Sequence, residues 1–210
     1  MTKDIWEGKN IYRDPKTVGI WEAYFRSMAR RIVEIYGCES AVQPSCGMAV
    51  LLRVLDQMGV HCTGIESSKT ALEVAKMANP IIEFIEGPSE EAIFEGDKKW
   101  DCVILRGLSA LNLEDLQTGR PFAEKAMAAA NKLVVYSVLS NMSGRQVDGW
   151  WHKRPIDVAK FWKSLNPKAE VTMQRAGTQV EIICYVPTSP PTNIPTDIPT
   201  NTPTDKETST

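Results

Sequence analysis

Apolar residues along this chain recur with two periods, and the switches between them outline its elements. Ile20, Tyr24, Met28, Ile32 and Ile35 fall at helical spacing, so Val18 to Tyr36 reads as an amphipathic helix. Ser40 to Pro44 is a short apolar run that stops at Ser-Cys-Gly. Met48, Leu51, Leu52, Leu55 and Met58 then return to helical spacing. Val60 to Ile65 is a strand leading into Glu66, and Lys69 to Ala78 is a helix closed by Pro80. Ile81 to Ile85 reads as a strand, followed by a helix around Glu90 to Phe94. Trp100 to Leu105 is a buried strand, and Arg120 to Asn131 an alanine-rich helix. Lys132 to Leu139 is the next strand, and Pro155 to Leu165 is a helix with proline in its first turn.

Strands separated by helices imply βαβ units and a parallel sheet with right-handed crossovers. The ending differs. Ala169 to Arg175 and Gln179 to Val186 are joined by so short a loop that they must pair as an antiparallel hairpin. The expected fold is therefore α/β: a Rossmann-like three-layer sandwich whose mostly parallel seven-stranded sheet ends in an antiparallel hairpin. After Pro187 the composition shifts to Thr, Pro, Asn and Asp with no aromatic residue, so 188–210 is expected to be a disordered tail. The folded domain is assigned to 18–187, and 1–17 to an N-terminal segment that is either a lid or a terminus pinned to the domain surface by Trp6 and Tyr12.

Composition narrows the class without naming a substrate. Apolar residues are 43% of the chain and charged residues 24%, the balance of a globular domain with an ordinary core. A formal net charge of −2 gives no bulk attraction to nucleic acid or to anionic membrane; Arg26, Arg30 and Arg31 form a local basic cluster on a predicted helix, read first as a solvated helix face and otherwise as a basic patch. The five cysteines are an odd number with no Cys-x-x-Cys pair, which supports neither a zinc site nor a disulfide framework. Reduced thiols and the lack of a membrane-length apolar run or signal peptide lead us to expect a soluble, cytoplasmic protein.

In a doubly wound sheet, ligands bind at the carboxyl ends of the strands, where strand order reverses. The first strand-to-helix turn must bend sharply and lie against the ligand. An acid ending the second strand accepts hydrogen bonds from ribose hydroxyls. Pro44-Ser45-Cys46-Gly47-Met48-Ala49 occupies the first position, and Glu66 stands at the end of the second strand, about twenty residues on.

With those positions placed, Val42 to Lys76 resembles the opening of class I S-adenosylmethionine (SAM)-dependent methyltransferases. That family reads hydrophobic-Leu-Asp-x-Gly-x-Gly-x-Gly, then Gly-x-x-Val-x-Gly-Ile-Asp-x-Ser. Gly59, Gly64-Ile65-Glu66-Ser67-Ser68 and Ala71 to Lys76 match the second half. In the first half Gln43 stands at the acidic position, Ser45 at the first glycine and Ala49 at the third; Gly47 is retained. Phe84 to Glu90 is similar to the segment near the adenine, and Trp100-Asp101-Cys102-Val103-Ile104 to the family's fourth strand. The resemblance implies SAM as cofactor, with Gln43, Ser45, Cys46, Gly47, Glu66, Ser67, Ser89, Glu90 and Arg106 around it, no metal, and methyl transfer to a small-molecule acceptor.

Methyl transfer needs mainly an aligned nucleophile, with a base where the acceptor is protonated. The connection from Ser140 to Arg154 is rich in reactive and aromatic residues and is read as a long loop without its own structure. His152 is the candidate base, and Trp150 or Trp151 the candidate wall of an acceptor site; the other reading has the tryptophans anchor the loop and His152 cap the helix that starts at Pro155. Two alternatives stay open: a non-catalytic or otherwise SAM-using protein of this fold, and a NAD-dependent oxidoreductase sharing the βαβ unit.

Overall fold

The computed structural model describes residues 15–88, 98–106, 111, 114–139, 145–147, 150–176 and 179–186. The segment before Pro15, the helix expected around Glu90 to Phe94 and the Thr/Pro tail lie outside those residues. The elements run β1 (Ser40–Pro44), β2 (His61–Glu66), β3 (Glu83–Glu86), β4 (Trp100–Leu105), β5 (Ala130–Leu139), β6 (Arg145–Val147), β7 (Trp150–His152), β8 (Glu170–Ala176) and β9 (Gln179–Tyr185). The α-helices are α1 (Pro15–Arg30), α2 (Val50–Asp56), α3 (Lys69–Ala78), α4 (Arg120–Ala129) and α5 (Pro155–Leu165).

Seven strands form one sheet in the order β3-β2-β1-β4-β5-β9-β8, and β6 and β7 form a separate two-stranded ladder. The pairs β1–β2, β1–β4, β2–β3 and β4–β5 are parallel, whereas β9 runs antiparallel to both β5 and β8. This is the expected three-layer sandwich with its closing hairpin. From β1 the chain winds outward to β2 and β3, then returns to β4 on the other side, so strand order reverses between β1 and β4. The turn after β1 and the residue after β4 therefore flank the cleft where ligands bind in such sheets.

Alternation along the strands divides the core into two faces. Ala41, Cys62, Cys102, Ile104, Leu133, Val135 and Ile183 face α1 and α2, joining Phe25, Met28, Ile32, Leu51, Leu52 and Leu55. Val42, Val103, Leu105, Val134, Ile182 and Cys184 face α4 and α5, joining Phe122, Ala126, Val158, Phe161 and Trp162. All five cysteines (Cys38, Cys46, Cys62, Cys102 and Cys184) are buried and free. Among the described residues no helix is long and apolar enough to cross a membrane.

Boundaries differ from the periodic reading for identifiable reasons. The first helix opens at Pro15, because proline favours the first helical position. It ends in a π-helical segment, Arg31–Ile35, closed by Gly37 at φ 60° in the left-handed region. The second begins at Val50 and not Met48, because Ala49 adopts φ 58° and cannot be part of the helix. The connection expected to lack structure carries the β6–β7 ladder, with Val147 opposite Trp150 and Arg145 opposite His152.

Candidate functional site

The turn after β1 takes three left-handed backbone positions in five residues: Ser45 at φ 51°, Gly47 at φ 56° and Ala49 at φ 58°. These are the three positions where the resembling family has glycine. An L-residue there crowds its Cβ against the following carbonyl, at about 1–2 kcal/mol. The turn thus follows a left-handed path at all three positions, with a side chain at two of them. Two hydrogen bonds anchor it: Cys46 N–H donates to Ile65 O at 3.0 Å, and Ala49 N–H to Cys46 O at 2.9 Å. Ser45→Gly and Ala49→Gly should each raise stability by about 1 kcal/mol by relieving the strain. Urea unfolding of the two variants checks this, and unchanged midpoints would contradict it.

Glu66 ties this turn to the second strand. It is buried, yet its carboxylate is well satisfied: Gly47 N–H donates to Oε2 at 2.8 Å and Ser68 N–H to Oε1 at 2.9 Å. Each oxygen keeps a further acceptor site, since a carboxylate offers about four in all. Ser68 also caps α3, its Oγ accepting from Ala71 N–H at 3.2 Å. Sequence reasoning selected the neighbouring Ser67, which is exposed, and passed over Ser68, although Ser68 precedes a helical run as N-caps do.

Gly64 permits the close approach that shapes the site's floor. It lies in register with Gln43 on β1 and Phe84 on β3. A Cβ at this position would sit 2.8 Å from the Phe84 ring and 2.9 Å from Cys46 Sγ. Gly64→Ala must displace one of them and should destabilise the fold by about 1–3 kcal/mol. Chemical denaturation reads this, and a neutral result would mean that the ring moves freely. Burial, reinforced by the Glu66 charge, pushes the Cys46 thiol up to about 12. Native protein at pH 8 should therefore resist alkylation by iodoacetamide at Cys46, and unfolding should expose it; rapid labelling of the folded protein, followed by mass spectrometry, would contradict this.

Gln43 stands one residue before the end of β1 with its side chain buried, and its Oε1 has no hydrogen-bond partner among the described residues. Arg106 directly follows β4, as expected, but its guanidinium turns to α1. It lies 4.8 Å from the Trp21 ring centroid, 4.9 Å from Phe25 and 5.8 Å from Tyr24, an arrangement of cation–π contacts. Of the other expected site residues, Ser45 is half-buried in the turn and His152 stands on β7. Ser89 and Glu90 lie outside the described residues.

A second buried carboxylate was missed by sequence reasoning. Glu181 on β9 is 1% exposed and pairs with Arg31, and Tyr24 Oη donates to its Oε1 at 3.5 Å. Burial, and then the Glu181 charge, pushes the Tyr24 hydroxyl up to about 12. The available signal was phase: Glu181 alternates with Ile183 and so stands on an apolar face. Together these contacts fasten the first helix over the carboxyl ends of β4 and β5 and the amino end of β9.

No protein-family model matches the chain, and no curated protein sequence does. Solved structures do match, and they define a class of fold: that of the class I SAM-dependent methyltransferases. The magnesium protoporphyrin IX methyltransferase of Synechocystis PCC 6803, solved with bound SAM, superposes with a TM-score of 0.63 at 14% identity, covering 84% of this chain and 88% of that one. A SAM-dependent methyltransferase from Clostridium acetobutylicum gives 0.62 at 7% identity over 86% and 98%. The 1,6-didemethyltoxoflavin-N1-methyltransferase of Burkholderia thailandensis, bound to 1,6-didemethyltoxoflavin and S-adenosylhomocysteine, gives 0.62 at 11% identity over 83% of each chain.

Proposed function

We propose that this protein is a SAM-dependent methyltransferase acting on a small-molecule acceptor. The observation that carries the proposal is the pairing of Gly47 with Glu66 across the β1–β2 edge, on a turn that keeps the glycine-loop path at Ser45, Gly47 and Ala49. The residues fit the cofactor. Glu66 retains acceptor sites for ribose hydroxyls, and the small residues of the turn leave room for the methionine end. Gln43 Oε1, buried and without a partner among the described residues, is an acceptor suited to an ammonium group. Solved structures of the same fold carry SAM or its demethylated product, which supports the same choice here.

SAM, when bound, supplies an electrophilic methyl group, so the chain's own contribution is alignment and exclusion of water. Glu66 and the turn hold the nucleoside end. Helix α1, held by Arg106 and, through the π-helical segment that follows it, by Arg31, roofs the neighbouring strand ends and excludes water from that side. His152 is assigned as the base that takes a proton from the acceptor, and Ser67, Ser89 and Glu90 as further cofactor contacts. His152→Ala is expected to lower kcat while leaving the affinity for SAM unchanged.

Calorimetric titration with S-adenosylhomocysteine and, separately, with NAD tests the proposal. Saturable binding of the first and none of the second is the expected result. Binding of NAD alone would replace the reading with an oxidoreductase, and binding of neither at millimolar concentration would end it.

A further inference from the structure

A groove of about 620 Å³ runs along the outer side of α1, away from the Gly47–Glu66 turn. Among the described residues its walls include Ala23, Arg26, Ser27, Arg30 and Arg31, with Gln174 of the edge strand β8 opposite. The basic cluster noted in the sequence is therefore gathered into one concavity.

The charges in it are unequal in kind. Arg31 is neutralised by Glu181 and held by Ser27, to whose Oγ it donates at 2.8 Å. Glu22, which also lines the groove one turn before Arg26, is engaged by Arg53 of α2. Arg26 and Arg30 are exposed, and no carboxylate among the described residues pairs with either. They stand four residues apart on one helix face, where side chains are neighbours and like charges oppose the helix. An anion placed between them converts that repulsion into two charge-assisted hydrogen-bonding forks.

We infer that this groove is a second binding site, for a soluble small molecule carrying a phosphate or diphosphate group. The two unneutralised guanidinium groups match the charge of a phosphate monoester near neutral pH. Ser27 and Gln174 add a hydroxyl and an amide for ester or hydroxyl oxygens. The volume lies within the range of small-molecule sites. The inference does not depend on the methyltransferase reading, because neither Glu66 nor the glycine-like turn takes part.

Pyrophosphate is the probe, titrated into the full chain at low salt and followed by calorimetry. Saturable binding with one site per chain is expected, weakened about tenfold or more in the Arg26→Gln/Arg30→Gln double variant. Both arginines are exposed, so this variant should keep the wild-type circular dichroism and melting midpoint. A second variant, Lys76→Gln/Lys160→Gln, removes the same net charge elsewhere on the surface and should bind as wild type does. Three results would overturn the inference: no saturable binding up to about 10 mM, equal loss in both double variants, or sedimentation with phosphatidic acid vesicles without binding of pyrophosphate.

Discussion

Replacing Glu181 by alanine should destabilise the protein by about 3–5 kcal/mol, a large fraction of the stability of a domain this size. The carboxylate is 1% exposed and pairs with Arg31, whose side chain is itself only 12% exposed. Removing the acid leaves a guanidinium in a place that water barely reaches, and Arg31 Nε is already buried without a partner among the described residues. Tyr24 also loses its acceptor. At this chain length the loss corresponds to a fall in melting midpoint of roughly 6–20 °C. The pair as a whole is a different matter, because taking two charges out of water offsets most of their attraction. Arg31→Met combined with Glu181→Leu should therefore recover much of the stability. A double-mutant cycle followed by thermal melting distinguishes these cases. A Glu181→Ala protein that melts within a degree or two of wild type would show that α1 is not held at this point.

Glu66→Ala should weaken binding of S-adenosylhomocysteine by about 100-fold or more, since hydrogen bonds to a charged group contribute about 1.5–3 kcal/mol each and the ribose offers two hydroxyls. The same change strips Gly47 and Ser68 N–H of their acceptor, so a loss of about 1–3 kcal/mol in stability accompanies it. Glu66→Gln separates the two roles. An amide keeps one acceptor oxygen for the turn but presents an N–H₂ where the other oxygen stood. It should fold nearly as well as wild type and bind at an intermediate level. Equal affinity in the wild type and in both variants would confine Glu66 to holding the turn.

The sheet was legible because its signals are local. Its parallel strands follow or precede helical runs with a clear change of period, and the short Ala-Gly-Thr connection forces the last pair to be antiparallel. Glu66 was legible because a charged residue at the end of a β-branched run, about twenty residues beyond a glycine turn, has a specific chemical use. What periodicity does not encode is the sign of φ. Ser45 and Ala49 read as an ordinary serine and a helix-forming alanine, so the helix reads as starting too early and the persistence of the left-handed path is invisible. Alanine-rich sequence likewise hides the join at Ala130, where β5 follows α4 with no breaker between them. The β6–β7 ladder did have a signal, Asp148-Gly149 between Val147 and Trp150, which is a favoured hairpin dipeptide. Arg106 was placed correctly along the chain, but only tertiary packing brings Trp21, Tyr24 and Phe25 to its guanidinium.

We assign the Gly47–Glu66 turn as the seat of the SAM nucleoside. A crystal structure of the complex with S-adenosylhomocysteine tests it most directly. Density for the ribose should lie at the carboxyl ends of β1 and β2, with its hydroxyls within hydrogen-bonding distance of the Glu66 carboxylate and the Gly47 N–H still donating to Oε2. Density for the nucleoside anywhere else on the protein, with Glu66 bonded only to Gly47 and Ser68, would contradict the account.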